Sequence, residues 1–389
     1  DVAVNAAQTT TNSRNITINP RTAYTGTGTL SSAGSLTISG GSTVAPGATI
    51  RAAGNITLSG TGLFTSAANT SIVSTSGNLN ITSSASNVYG TLETSAGGSG
   101  NITMNNGGKT LLQSATVRAL GSGSVSISAG PVGDHSVQVN GSTISSTSGS
   151  ITVSGTTTRT DWSSLYIYSS STISTTSGSI GLFGTGGGWG VDLQGVSVIS
   201  NSGGILINGG NSGVVTGNTG TTNIGATSAT ESSSAITLTG NRHTGWTSPT
   251  HIKTTGPVVI ESLANQYSEN STLSNVTFTG NSSVRIGKST NGRNVTLDGT
   301  GAVNIVGDYT VNAVNVTQTT AVTTSTGSIF MNPTGDYAGA GALTATSGTV
   351  RISGGAAVAP TGAIRALGTV TLSGTGAITN SGATLTSLT

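Results

Sequence analysis

One pattern restricts the fold of this chain more than any other: two apolar residues flanking a single residue, preceded by Asn, Ser or Gly, recur along its length. The pair reads Ile16/Ile18, Leu36/Ile38, Ile56/Leu58, Leu79/Ile81, Ile102/Met104, Val125/Ile127, Ile151/Val153, Ile180/Leu182 and Ile205/Ile207, at intervals of about 20 to 29 residues. It continues as Ile236/Leu238, Val258/Ile260, Val276/Phe278, Val295/Leu297, Ile329/Met331, Val350/Ile352 and Val370/Leu372, and only the stretch around Val303 to Val316 is hard to phase. Within one interval the apolar residues form three groups: after Ile151 come Leu165/Ile167 and Ile173, and after Ile180 come Val191/Leu193 and Val198. The alternation sends Ile, Val and Leu to one face and Thr, Ser or Asn to the other, while Gly, Asn and Ser clusters mark corners. Three short strands per coil, joined by turns too brief for a helix, predict an all-β, right-handed parallel β-helix of about 16 to 17 coils. Its hand follows from the usual chirality of parallel crossovers. At ~4.8 Å per coil the expected rod is roughly 80 Å long.

A longer repeat overlies the short one. Residues 15–62 contain Asn19-Pro20, Tyr24-Thr25-Gly26, Val44-Ala45-Pro46, Ile50-Arg51-Ala52 and Leu58-Ser59-Gly60. Residues 328–376 return them as Asn332-Pro333, Tyr337-Ala338-Gly339, Val358-Ala359-Pro360, Ile364-Arg365-Ala366 and Leu372-Ser373-Gly374, an offset of 313 or 314. The expectation is a single continuous β-helix segment over 1–389, holding a little more than one unit of a super-repeat of about 314 residues. The chain opens at Asp1 with no leader pattern, which reads as a processed product or an excerpt. Neither end shows a polar cap, so other copies are expected to associate with it end-to-end or laterally.

Composition excludes several classes. The 13 Lys and Arg against 11 Asp and Glu are scattered, so no basic footprint for nucleic acid or anionic lipid forms. No apolar run reaches the ~18 residues of a membrane helix. With no cysteine, disulfide frameworks and thiolate metal sites are excluded. Neither a cofactor nor a metal is expected, since calcium loops, phosphate loops and spaced histidine pairs are missing from the sequence.

Candidate binding residues come from the aromatics, which make up only 4% of the chain yet mostly share one phase. Tyr24, Tyr89, Trp162, Trp189, Trp246, Tyr267 and Tyr337, with His135, fall 8 to 11 positions after the first apolar residue of their coil, at the corner entering the second strand. Two readings stand: an internal corner stack filling the core, or an outward platform for sugar rings formed by Trp162, Trp189, Trp246, Tyr89 and Tyr267. Asp134, Asp161 and Asp192 share nearly that phase, and carboxylates on adjacent coils are what a polysaccharide-cleaving β-helix needs; turn-capping aspartates are the plainer account. The outward threonines Thr17, Thr37, Thr57, Thr103, Thr152, Thr237, Thr277, Thr296 and Thr371 resemble an ice-binding ladder, but β-propensity explains them without a ligand. Arg51, Arg118 and Arg365 are expected to point outward for solubility. The Asn-x-Thr triplets at Asn15, Asn55, Asn101, Asn275, Asn294 and Asn315 read either as glycan acceptors or as turn asparagines.

The repeats Gly-Ser-Ile-Thr-Val-Ser-Gly at 149–155 and Gly-Gly-Gly-Trp-Gly-Val-Asp-Leu at 186–193 resemble the Ser/Thr/Gly-rich repeat regions of filamentous-haemagglutinin-like exoproteins, over nearly the whole chain. That resemblance implies export by two-partner secretion, a place on the surface of a Gram-negative bacterium, and a structural shaft for attachment or biofilm matrix contacts. The expected role is therefore an adhesin or fibre segment and not an enzyme. The partners expected are copies of itself, extracellular polysaccharide or a neighbouring cell surface.

Overall fold

The computed structural model describes residues 1–95, 97–226, 232–243, 248–263, 269–299 and 301–387. These residues form short strands joined by turns and bends, without a helix, and the strands pair in parallel. The fold is an all-β solenoid of about 16 coils with three strands per coil and a short fourth sheet. By packing it divides into two compact units, Asp1–Asp192 with Val196–Gly203, and Leu193–Gly195 with Gly204–Thr389.

In the first unit the leading strand of each coil runs from Ile16–Ile18 to Ile180–Thr185. The register superimposes Leu36, Ile56, Leu79, Ile102, Val125, Ile151 and Ile180 into one apolar column, every member at most 1% exposed. Burying each such side chain contributes about 1.5–3 kcal/mol. Second strands such as Val137–Asn140 and Ser163–Tyr168, and third strands such as Thr143–Ser146 and Thr172–Thr175, close the coil.

The second unit repeats this plan with leading strands from Ile205–Asn208 to Val370–Ser373. Here the structure corrects two assignments made from the sequence pattern. Val276–Thr279 pairs with Thr250–Lys253 as a third strand, and Val295–Asp298 pairs with Ser271–Ser274 as a second strand. The leading strands are instead Ser283–Ile286 and Asp308–Ala313, which place Val284/Ile286 and Tyr309/Val311 in the column. The confusion has a physical origin: the asparagine corner is used before second strands as well as before first ones, and Tyr309, 1% exposed, fills an aliphatic position. This also phases the stretch from Val303 to Val316.

The glycine and asparagine content is explained at the corners. Gly100, Gly123, Gly149, Gly178 and Gly203 stack at the turn before successive leading strands, and a Cβ on any of them would lie closer than 3.0 Å to the carbonyl of the glycine one coil back. Only a hydrogen fits between the two chains. Buried hydroxyls cap the same carbonyls: Ser146 Oγ donates to Gly123 O at 2.7 Å, Thr175 Oγ1 to Gly149 O at 3.2 Å and Ser200 Oγ to Gly178 O at 3.0 Å. Beside them runs an amide ladder. The side-chain oxygens of Asn55, Asn78 and Asn101 accept the backbone N–H of Asn78, Asn101 and Ser124, each at 2.8 Å. In the second unit Asn270, Asn294, Asn315 and Asp336 do the same for Asn294, Asn315, Asp336 and Ala357. Each asparagine thus satisfies a corner donor that the strand ladder leaves over.

The related stretches 15–62 and 328–376 build the same local structure. Strands Ala23–Gly26 and Tyr337–Gly339 both turn their tyrosine inward at 1% exposure, in register with Val44 and Val358 respectively. The glycine two residues on makes room for the ring: a Cβ on Gly339 would run into the Tyr337 phenol, and one on Gly26 would press on the Tyr24 hydroxyl at 3.0 Å and clash with Val4 O at 2.7 Å.

Candidate functional site

From Leu165 onward the strand Ser163–Tyr168 alternates buried and partly exposed positions, so Leu165 and Ile167 enter the core while Tyr166 and Tyr168 stand outside. Two residues apart on one face, the tyrosines lie with ring centroids 4.3 Å apart and planes 13° from parallel. His135 stacks against Tyr166 at 4.6 Å and 24°, and Trp162 meets His135 edge-on at 4.6 Å and 85°. Four rings from two successive coils therefore form one row in the first unit, with His135 buried at 8% exposure and the other three partly or openly exposed. One coil back, Gln138 is the register partner of Tyr166 and Asn140 that of Tyr168, which places two amide side chains beside the rings.

Local sequence fixes this row. His135 sits in the turn before Val137–Asn140; its backbone N–H donates to Asp134 Oδ1 at 2.6 Å and its Nδ1 meets Ser163 O at 2.8 Å. Burial holds the imidazole below its ordinary pKa, against the opposing pull of the Ser163 carbonyl. Burial, and then the Asp192 carboxylate, raise the Tyr166 phenol. Trp162, at 37% exposure, is in the turn before Ser163–Tyr168.

The surrounding charges are paired. Lys109 Nζ lies 2.5 Å from Asp134 Oδ2. Arg159 grips Asp161 with two hydrogen bonds, Nε to Oδ1 at 2.9 Å and Nη2 to Oδ2 at 2.6 Å. Partial burial pushes the Asp134 carboxyl up, but Lys109 and the His135 N–H outweigh it and leave it below the usual carboxylate range. The Arg159 guanidinium holds Asp161 low in the same way. Asp192 is buried with Ser163 Oγ at 3.4 Å. Each of the three aspartates considered as catalytic carboxylates is thus engaged by its own neighbours.

Of the other residues singled out in the sequence, Trp189 lies one coil on from Trp162, since the N–H of Gly188 before it donates to Trp162 O at 3.1 Å. Trp189 is partly exposed at the start of Trp189–Leu193, and Tyr89 is partly exposed, its backbone N–H donating to Ser66 Oγ at 3.3 Å. Trp246 and Tyr267 lie outside the described residues. Tyr24 and Tyr337 share the phase of Trp162 yet are internal, because they occupy inward strand positions and Trp162 occupies the turn before a strand. Phase along the coil therefore does not separate internal from exposed aromatics, and both placements occur. Tyr166 and Tyr168 were not among the residues singled out; strict alternation from Leu165 was the available signal. Arg51, Arg118 and Arg365 point outward, and Arg118 pairs with Glu93.

No protein-family model, curated protein or solved structure matches the chain.

Proposed function

We propose that this chain is a structural segment of a secreted bacterial surface fibre or adhesin, a shaft that spans distance and carries loops outward. The observation that carries the reading is the coil-on-coil economy of the corners. The glycine ladder, the capping hydroxyls and the asparagine ladder recur from one coil to the next, so length grows by adding like coils. The similarity of 15–62 to 328–376 supports it, since a super-repeat serves extension. Export by two-partner secretion, a Gram-negative cell surface and lateral or end-to-end association with other copies belong to this reading through the resemblance to filamentous-haemagglutinin-like exoproteins.

The test is imaging and localisation. Negative-stain microscopy of the recombinant chain should show narrow particles, aligned samples should diffract at ~4.8 Å along the particle axis, and antibodies to the chain should label intact cells. Compact globules, or label confined to permeabilised cells, would overturn the reading.

A further inference from the structure

We propose that the exposed side of the ring row at Trp162, Tyr166 and Tyr168, backed by the buried His135, is a binding face for a neutral polysaccharide, with the amides of Gln138 and Asn140 as its hydrogen-bonding border. This goes beyond the shaft reading and does not depend on it.

Three observations carry the inference. The first is placement: the chain has 7 tyrosines and 3 tryptophans in 389 residues, and where it buries tyrosine it does so completely, at 1% exposure for Tyr24, Tyr309 and Tyr337. At Tyr166 and Tyr168 the same residue type instead stands on the outer face of a strand whose other outward neighbours are small or polar, where it adds nothing to the core. The second is order. The ring-to-ring spacings of 4.6, 4.6 and 4.3 Å form a packed row, anchored at His135 by Ser163 O, so the surface is already organised without a ligand. The third is charge: the rim cations Lys109 and Arg159 are held by Asp134 and Asp161, and the Asp192 carboxylate acts on Tyr166.

A polyanion needs cations to replace its counterions, and these are already committed. A sugar chain needs something else: apolar ring surface beneath its C–H faces and side-chain amides for its hydroxyls. Trp162 and the outward edges of the Tyr166–Tyr168 stack supply the first, since His135 and Tyr168 cover the two faces of Tyr166, and the amides of Gln138 and Asn140 supply the second one strand away. The row is longer than one sugar ring, which favours a polymer over a monosaccharide.

Affinity electrophoresis of the whole chain through gels containing hydroxyethylcellulose, xylan or dextran tests this, with heparin and alginate as charged comparisons. Retardation by at least one neutral polymer is expected, weakened about tenfold or more in Tyr166→Ala/Tyr168→Ala. Retardation should be kept in Tyr166→Phe/Tyr168→Phe, which preserves the stack, and reduced in Asn140→Ala, which leaves the rings in place. Should the double alanine variant fail to fold by circular dichroism, the phenylalanine pair and Asn140→Ala decide. The proposal is overturned by no retardation in any neutral polymer, or by retardation unchanged in the folded variants. Retardation only by heparin or alginate that salt abolishes overturns it too, as does an alanine variant that loses only self-association. None of these outcomes alters the particle shape on which the shaft reading is tested.

Discussion

Replacing Gly149 by alanine tests the account of the corners most directly. The added Cβ would fall well inside the 3.0 Å limit from Gly123 O, with Ser122 O at 2.8 Å behind it, so no side-chain rotation relieves the clash. The turn must retreat by roughly 1 Å, an overpacking cost of about 1–3 kcal/mol. Retreat also stretches the buried bonds that clamp this corner, Ser146 Oγ to Gly123 O and Thr175 Oγ1 to Gly149 O, at about 1 kcal/mol each. The expected loss is about 3–5 kcal/mol. Gly97→Ala is the internal control, because a Cβ there meets nothing within 4 Å, and it should stay within about 0.5 kcal/mol of the parent. Urea unfolding read by hydrogen-exchange mass spectrometry measures both the size and the place of the effect. Protection should fall in peptides covering Thr116–Ala119 to Thr172–Thr175 and hold in peptides beyond Gly204, since coil energies are nearest-neighbour terms. If Gly149→Ala and Gly97→Ala prove equally mild, the glycine ladder is not a close-approach device and the explanation fails.

Three further outcomes follow from the same geometry. His243 is fully buried, and burial lowers its pKa from the ordinary 6.5 to about 4 despite the Glu261 carbonyl. The unfolded chain therefore takes up this proton first as pH falls, so its contribution is complete above about 6.5 and about 3 kcal/mol of it is lost on descending to about 4; His243→Gln should flatten that slope in urea midpoints. Asn78→Ala removes the acceptor of the Asn101 N–H and should cost about 1 kcal/mol, whereas Asn78→Asp keeps an acceptor of the kind Asp336 supplies to Ala357 and should cost less than half of that in the same assay. Tyr337→Phe deletes the buried bond from the Tyr337 hydroxyl to Gln318 Oε1 at 2.8 Å and should lower stability by about 1–2 kcal/mol, measured as a urea midpoint shift without change in m-value.

Much of this molecule is legible in its residues alone. The Leu36 to Ile180 column shows why: a strand has a side-chain period of two, so alternating Ile and Thr states which residue faces the core wherever it occurs. Arg51, Arg118 and Arg365 were placed correctly by the same rule. The candidate site was only partly legible. Trp162 and His135 were singled out by phase, but phase cannot tell a turn from a strand, and so Tyr24 and Trp162 fell together although one is internal and the other exposed.

Fold class, three strands per coil and the number of coils were determined by the sequence itself, because they depend on local alternation and on the spacing of corners, both written in consecutive residues. The tertiary structure alone decided which coil each strand of 270–316 belongs to, since corners of equal chemistry precede first and second strands and only the pairing of distant segments distinguishes them. It alone assembled the ring row as well: His135 lies 31 positions before Tyr166 in the chain, and what brings them to stacking distance is the register of Val137–Asn140 against Ser163–Tyr168. That register is set by the length of every loop between them, a sum over the whole coil that no single residue records.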